Sequence, residues 1–254
     1  MKVDAGDPVE YALRIGDETV PLNGLLEKSL TLSFTGEIFC IECGRKTKTS
    51  FGQGFCYPCF EDSAACSPCI IRPELCRAHE GVGRDMEWEK RNHLKEQIVY
   101  LTHTGGVKVG VTRKDNLPTR WIDQGATMAV HLAEAQNRYE AGMIEVALKD
   151  HITDRTNWRV MLCSSEGDAE ALLAEKRRLE EILDGNTNLN PDDEITNISY
   201  PVSKQPEKVK SVTFKKETEA GGTLAGMKGQ YLIFDDGRVF NVRSHQGYAV
   251  ELRT

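Results

Sequence analysis

Residues 40–79 read CIECGRKTKTSFGQGFCYPCFEDSAACSPCIIRPELCRAH and contain seven of the eight cysteines of the chain. They lie in pairs with two residues between the partners, and the last pair joins a cysteine to a histidine. This spacing turns both side chains of a pair towards one ion, so four pairs can form two tetrahedral zinc sites. The eight predicted ligands are Cys40, Cys43, Cys56, Cys59, Cys66, Cys69, Cys76 and His79.

The order of the pairs favours a sequential assignment of the two sites. The pairs between Cys40 and Cys59 would supply four thiolates to one ion. The pairs between Cys66 and His79 would supply three thiolates and one imidazole to the other. An interleaved pairing fits the same spacing and stays open. Each site has four protein ligands and no free position, which is typical of structural rather than catalytic zinc.

A disulfide framework is the alternative explanation of so many cysteines. Disulfide-rich domains are usually short and secreted. Here the cysteines crowd into a small part of a long chain, and the first 20 residues lack the apolar segment of a secretory signal. We therefore expect reduced thiols that hold two structural Zn2+ ions. Because few large apolar residues lie between the pairs, metal binding should supply on the order of 10 kcal/mol of folding free energy per site.

The composition is that of a soluble globular protein, with 254 residues of which 39% are hydrophobic and 28% are charged. No apolar run approaches the roughly 20 residues that cross a bilayer, so we expect a cytoplasmic protein without a membrane partner. The net charge of -7 provides no overall attraction to nucleic acid or to an anionic membrane. Contacts with nucleic acid would have to come from local clusters of basic residues.

The patterns along the chain predict an α+β fold. Apolar and polar residues alternate in 9–15 and 30–34, which predicts strands. After residue 196, five short stretches with glycine corners predict a small β-barrel of SH3-like or OB-like type. The expected units are an N-terminal β-arm packed on the zinc segment (1–38), a double zinc-knuckle segment (39–83), a central α/β domain (84–163), a helix with a linker (164–195) and the barrel-like domain (196–254).

The central domain is predicted to begin with a β-hairpin, formed by strands at 97–101 and 107–112. A helix is expected to start near Pro118, and a short strand is expected at 126–130. The strongest helical periodicity of the chain runs over 134–151. This region should therefore combine a small sheet with packed helices.

The order of these elements and the motifs on them resemble the GIY-YIG nuclease fold over roughly residues 97–160. Val99-Tyr100 stands where the first motif of that family lies, and Lys108-Val109-Gly110 stands where its second motif lies. The segment NLPTR (116–120) matches the motif that follows. The residues that correspond to functional positions of the family are Tyr100, Lys108, Arg120, Glu145 and Asn157.

The resemblance implies the chemistry of phosphodiester hydrolysis. A divalent ion, Mg2+ or Mn2+, would be held by Glu145 to stabilise the leaving oxygen, and Arg120 would stabilise charge at the phosphorus. Tyr100 would help to activate water, and Asn157 corresponds to the closing asparagine of the family. Lys108 replaces a second tyrosine. Lysine is a poor general base at neutral pH unless burial or nearby cations lower its pKa, but it can bind a phosphate as a point charge.

The resemblance supports two functional hypotheses. In the first, a zinc protein binds nucleic acid, either DNA or RNA, through a GIY-YIG-like domain and cleaves phosphodiesters. In the second, the domain is a noncatalytic scaffold that binds nucleic acid or another protein, which Lys108 and the acidic net charge favour. The whole chain, with its zinc knuckles and the segment GQYLI (229–233), also resembles a bacterial and archaeal family of unknown function.

Overall fold

The chain forms an α+β fold, seen in a computed structural model that describes residues 1–183, 185 and 187–254. The strands of these described residues are, in chain order, β1 (Lys2–Asp4), β2 (Glu10–Ile15), β3 (Glu18–Pro21), β4 (Ser29–Phe39), β5 (Lys46–Thr47), β6 (Gln97–His103), β7 (Val107–Arg113), β8 (Met128–Ala135), β9 (Asn188–Leu189), β10 (Thr196–Asn197), β11 (Lys210–Val212), β12 (Glu219–Lys228), β13 (Tyr231–Phe234), β14 (Arg238–Asn241) and β15 (Tyr248–Arg253). The α-helices are α1 (Tyr57–Asp62), α2 (Met86–Asn92), α3 (Thr119–Asp123), α4 (Arg138–Leu148), α5 (Trp158–Cys163) and α6 (Ala169–Glu180).

Strand β4 belongs to the N-terminal part of the chain but pairs with strands of the C-terminal part. It pairs antiparallel with both β12 and β15, so an N-terminal strand lies between two C-terminal strands. The resulting seven-stranded sheet has the order β11-β14-β13-β12-β4-β15, and β5 also pairs with β4. Within the described part of the chain this sheet does not close into a barrel.

The small barrel expected for residues 196–254 is therefore replaced by an open sheet that includes β4. The strands β11 to β15 lie close to the predicted stretches, and the tight turn at 235–237 joins β13 to β14 with Gly237 at φ 82°. Alternation of apolar and polar residues predicts a strand and its buried face, but it does not identify the neighbouring strand. The partner of β4 lies about 190 residues away, as in the pairing of Thr31 with Gly221, and no local pattern reports it.

The N-terminal sheet, formed by β1, β2 and β3, packs on the same core as the C-terminal strands. Leu13 from β2, Leu32 from β4 and Phe234 from β13 are all buried in one hydrophobic cluster. The N-terminal arm was expected to pack on the zinc segment. The apolar side chains of β1 to β3 are covered by the seven-stranded sheet, whereas the end of β4 pairs with β5 of the zinc segment, where Ile38 lies opposite Thr47.

The central sheet has the order β10-β8-β6-β7, and β9 also pairs with β8. The predicted hairpin is confirmed as β6 and β7. Strand β6 is buried on both faces. Val99 and Leu101 pack in the cluster that includes residues of α4 and α6, while Ile98 and Tyr100 pack against Trp121 of α3. Burial on both faces explains why β6 is a continuous apolar run instead of an alternating one.

Helix α4 begins later than the helix predicted over 134–151, because residues 128–135 form strand β8. The side chain of Asn137 then caps α4 by accepting a hydrogen bond from the amide of Glu140 at 3.0 Å. The helix expected within 164–195 is found as α6, and the Asp168 carboxylate caps its start. Positions 184 and 186 of the expected helix and linker lie outside the described residues.

Helix α4 packs on the zinc-binding segment at Gly142. A Cβ atom at this position would overlap the backbone of Pro73 and Glu74. Backbone atoms cannot move aside as the end of a flexible side chain can, so this contact requires glycine. The zinc-binding segment and the central domain are therefore held at close range.

We expect Gly142→Ala to lower the free energy of unfolding by about 1–3 kcal/mol through overpacking. Helix propensity alone would favour alanine by about 1 kcal/mol, so a loss of stability isolates the steric contact. Gly24→Ala is the matched control, because nothing lies within 4 Å of a Cβ at that position. Urea unfolding of the three proteins measures the effect. Unchanged or increased stability of Gly142→Ala would contradict the close packing.

Candidate functional site

Four cysteines near the end of β4 and the start of α1 form the first candidate metal centre. The Sγ atoms of Cys40, Cys43, Cys56 and Cys59 all lie within 4.8 Å of one another. The Sγ atoms of Cys43 and Cys56 are 3.8 Å apart. A tetrahedron of sulfurs at about 2.3 Å from zinc has an edge of about 3.8 Å. All eight cysteines are free, and this group of four could hold a structural zinc.

The local structure around Cys43 favours metal binding. The backbone turns at Gly44, where φ is 68°, and the amide of Gly44 donates to the carbonyl of Cys40 at 2.9 Å. Arg45 Nε donates to Cys43 Sγ at 3.4 Å, and this bond lowers the pKa of the Cys43 thiol to about 6. The thiolate is the form of cysteine that binds metal.

Cys69, Cys76 and His93 form the second candidate metal centre. All three residues are buried, and their ligand atoms lie within 4.8 Å of one another. His93 Nδ1 is 3.6 Å from Cys76 Sγ and 3.9 Å from Cys69 Sγ. These distances lie near the edge of about 3.6 Å expected between nitrogen and sulfur ligands of one tetrahedral zinc ion. This group could therefore hold a second zinc ion.

The structure places two predicted ligands, His79 and Cys66, away from this second group. His79 lies in a 3-10 turn and stacks on Tyr139, with ring centroids 4.5 Å apart. Cys66 packs near Phe60 in the cluster around the first centre. Sequence reasoning missed His93 because it follows the cysteine-rich stretch. Helix α2 carries it back to the cysteines, and only the packing of that helix shows this.

A cleft of about 370 Å³ lies between the central sheet, α4 and the zinc-binding segment. Three predicted site residues line it together, namely Lys108 from β7, Arg120 from α3 and Glu145 from α4. Residues from three separate stretches of the sequence thus line one surface of the fold. The other lining residues are Gln53, Ile70, Ile71, Pro73, Gly110, Val111, Gln124, Arg138, Asp154 and Arg243.

The cleft carries excess positive charge although the chain as a whole is acidic. Four cationic side chains line it against two carboxylates. Charges inside a concave surface act together on an approaching anion. The cations are Lys108, Arg120, Arg138 and Arg243, and the carboxylates are Glu145 and Asp154.

Lys108 is only 3% exposed, and burial lowers its pKa to about 8. Repulsion by the Arg120 guanidinium contributes to the same shift. A lysine with such a pKa is mostly charged at neutral pH. Its neutral amine becomes abundant when the pH rises slightly above neutral. Burial and a nearby cation, two causes that lower the pKa of a lysine, are both present at this position.

Glu145 and Asp154 supply the oxygen ligands that a divalent ion would need in the cleft. Burial raises the pKa of Glu145, and the charge of Asp154 raises it further, whereas Arg138 and Lys108 oppose this rise. A bound cation offsets the electrostatic repulsion between two neighbouring carboxylates. Mg2+ is commonly bound through one or two carboxylates, so these residues fit the expected ion.

Tyr100 lies behind the cleft and not in it. It is fully buried and pairs with Gly110 across the hairpin, where a Cβ atom would lie 2.7 Å from Tyr100 Oη. The phenol donates to Gln124 Oε1 at 3.1 Å, and burial raises the pKa of Tyr100. The phenol lies beside Gln124 and Arg120, which both line the cleft. It positions Gln124, which does line the cleft.

Asn157 has a local structural role. Its side chain caps α5 by accepting a hydrogen bond from the amide of Arg159 at 3.2 Å. It is exposed and does not line the cleft with the other predicted site residues. The capping role by itself explains why an asparagine stands at the start of this helix.

Comparison with known proteins identifies a family but no activity. The family model DUF2797, described as a protein of unknown function, matches residues 27–250. The chain belongs to this family. The DUF2797 match includes both candidate metal centres and the cleft. No curated protein and no solved structure matches the chain, and these comparisons provide no support for the GIY-YIG resemblance.

In this DUF2797 protein the second metal centre forms one wall of the cleft. Arg138 Nε donates to the carbonyl of Cys69 at 2.9 Å, and its Nη2 donates to the carbonyl of Ile70 at 2.8 Å. Ile70 and Pro73 also line the cleft. Separately, none of the described helices combines the length and apolar character needed to span a bilayer.

We expect the purified protein to contain two zinc ions per chain and Cys56→Ser to contain one, because three remaining thiolates hold zinc less tightly than four. Cys163→Ser is the matched control, since Cys163 lies outside both ligand groups. Elemental analysis after dialysis against a weak chelator gives the stoichiometry. If Cys56→Ser kept both ions, the first centre would be wrongly assigned.

Proposed function

We propose that this protein binds nucleic acid at the cleft and cleaves a phosphodiester there with the help of a divalent ion. The observation that carries the proposal is that Lys108, Arg120 and Glu145 line one surface, although they come from three different elements. A phosphate group needs cations for binding, and its hydrolysis needs a group that accepts a proton from water. The cleft contains both.

Each residue has a distinct role in this proposal. Arg120 binds the phosphate and stabilises the charge that develops on its oxygens. The neutral amine of Lys108 accepts the proton of the attacking water, in place of the tyrosine of the GIY-YIG family. Glu145, with Asp154 beside it, would hold Mg2+ or Mn2+, which would stabilise the leaving oxygen.

A noncatalytic nucleic-acid-binding function is the second candidate, and the burial of Tyr100 favours it. If no other group activates water, the cleft keeps the cations that bind phosphate and lacks part of the hydrolytic machinery. Both candidates require binding at Arg120, and they differ in whether Glu145 and a metal ion produce cleavage.

We expect Glu145→Gln to reduce cleavage at least about a hundredfold, because it removes the charge that holds the metal ion. Arg120→Ala should weaken binding about tenfold or more, since a charge-assisted hydrogen bond contributes about 1.5–3 kcal/mol. It should also reduce the slope of log affinity against log salt by about one. Structured and single-stranded DNA and RNA with Mn2+ are the substrates.

The exposed Arg14 on β2 provides the matched control, because Arg14→Ala removes a charge outside the cleft. Binding weakened by Arg120→Ala without cleavage by the wild type would establish the noncatalytic candidate. Absence of binding at low salt, or equal effects of Arg120→Ala and Arg14→Ala, would reject both candidates.

The pKa of about 8 at Lys108 predicts a dependence of binding on pH. The charged amine attracts phosphate below this pKa, so metal-free binding should begin to weaken near pH 8 as the proton is lost. The loss is at most about tenfold per pH unit for one proton. Lys108→Arg stays charged and should bind almost equally between about pH 7 and 9. Fluorescence anisotropy measures both proteins, and identical pH profiles would show that Lys108 does not contact the phosphate.

A further inference from the structure

A second cavity, of about 600 Å³, shares no lining residue with the cleft. Its walls come from the start of β8, the segment 164–167 after α5, the segment 197–202 and the end of β12. A volume of this size lies in the range of small-molecule binding sites. The residue at the end of β12 is Lys228, a buried side chain that has no part in the proposed phosphodiester chemistry.

The walls of this cavity are fixed by the backbone. The amide of Ile198 donates to the carbonyl of Thr127 at 2.9 Å, which ties the segment 197–202 to β8. On the other side, a Cβ atom at Gly226 would lie 2.8 Å from Val202 Cα, so β12 approaches the same segment closely. The cavity is therefore formed by the fold itself, as is usual for small-molecule sites.

Lys228 is only 2% exposed, although lysine is seldom fully buried without a paired carboxylate. Its Nζ atom donates to the carbonyl of Ser164 at 2.5 Å and lies 5.4 Å from the centre of the Tyr200 ring. Ser164 and Tyr200 both line the cavity with Lys228. Within the described part of the chain Lys228 is in no salt bridge. An ammonium group has three N–H donors, so one carbonyl leaves it capacity for a ligand.

The charge of Lys228 is not balanced by its surroundings. Burial lowers its pKa to about 8, so the ammonium form still predominates at neutral pH. The Cys163 thiol opposes this shift, but burial raises the pKa of that thiol, and it carries no charge at neutral pH. A buried charge without a partner is costly. A bound anion would remove this cost.

The charges around the cavity restrict the kind of anion. One lysine balances one negative charge, and none of the described lining residues is an arginine, the side chain best suited to hold a phosphate by paired hydrogen bonds. A single carboxylate fits this arrangement better. Asp7 and Glu166 also line the cavity and are exposed. They repel a second anionic group and attract a cationic one.

We propose that this cavity binds a small zwitterion of the amino-acid type, with its carboxylate on Lys228 and its ammonium group towards Asp7 and Glu166. The Tyr200 phenol donates to the carbonyl of Ala126 at 2.8 Å, which holds the ring that lies against the lysine. The proposal is independent of the function proposed for the cleft, because the two sites share no lining residue.

Saturation-transfer NMR of the full chain tests this proposal with glycine, L-leucine, L-lysine, the dipeptide Gly-Leu, acetate and inorganic phosphate as probes. We expect at least one amino acid or the dipeptide to bind. Lys228→Met keeps most of the side-chain volume and removes the charge, so it should weaken this binding about tenfold or more. Lys210→Met, at an exposed position of β11, is the matched control. Equal binding by Lys228→Met and the wild type would overturn the proposal, as would binding of none of the amino acids or the dipeptide.

Further comparisons separate the chemistry of the ligand from the folding of the variant. Lys228→Met removes a buried charge and should unfold at the same or a higher urea concentration than the wild type. If it does not fold, the double variant Asp7→Asn and Glu166→Gln, at exposed positions, should weaken amino acids and leave acetate unchanged. Unchanged amino-acid binding in that variant, or tighter binding of phosphate than of any amino acid, would overturn the proposal. Arg120→Ala should bind the amino acids as the wild type does, and a loss there would place the ligand in the cleft instead.

Discussion

The contact between Arg138 and the backbone of the second metal centre is the interaction on which the cleft depends. The guanidinium donates to the carbonyls of Cys69 and Ile70, and so ties α4 to a segment that has almost no hydrophobic core. The amide of Arg138 also donates to the carbonyl of His93 at 2.9 Å. One residue thereby connects two ligands of the metal centre with the helix that carries Glu145. A bound zinc ion would order this segment, and the cleft wall would then form only when the metal site is intact.

The two parts of the cleft have different sources of stability. The wall with Lys108 belongs to β7, whose neighbours Val109 and Val111 are buried in the hydrophobic cluster of the central sheet. The opposite wall, with Ile70 and Pro73, is a series of 3-10 turns around the metal ligands. Such turns have poor hydrogen-bond geometry and do not persist without support. In the proposed function, a cleft built in this way would link phosphate binding to metal content, because the metal ligands lie outside the cleft but support its wall.

The sequence predicted local features. It missed those features that depend on which distant segment a stretch pairs with or packs against. Each Cys-x2-Cys pair is one turn, so its spacing alone places the ligands of the first centre. The histidine of the second centre depends on how α2 folds back, and for that reason His93 stands where His79 was expected. The apolar stretches at 97–101 and 107–112 predicted the hairpin, but the register across it places Gly110 over the Tyr100 phenol and buries the phenol. Likewise, alternation predicted β4 and could not identify β12 and β15 as its neighbours.

The cations of the cleft are not equally available to an incoming phosphate. Arg138 has its donors on two backbone carbonyls, and Arg243 lies 3.6 Å from the carboxylate of Asp123. Arg120 is in no salt bridge among the described residues, and its guanidinium lies beside the Tyr100 phenol, where it opposes the rise in the pKa of the phenol. Lys108 Nζ donates to the carbonyl of Asp154 at 3.5 Å, and the Asp154 and Glu145 carboxylates act on it without a direct ion pair. A charge already neutralised by a neighbour gains less from a new anion than an unpaired one does. The free energy of phosphate binding should therefore be concentrated on Arg120 and Lys108, beside the Glu145 carboxylate, while the paired arginines shape the surface around them.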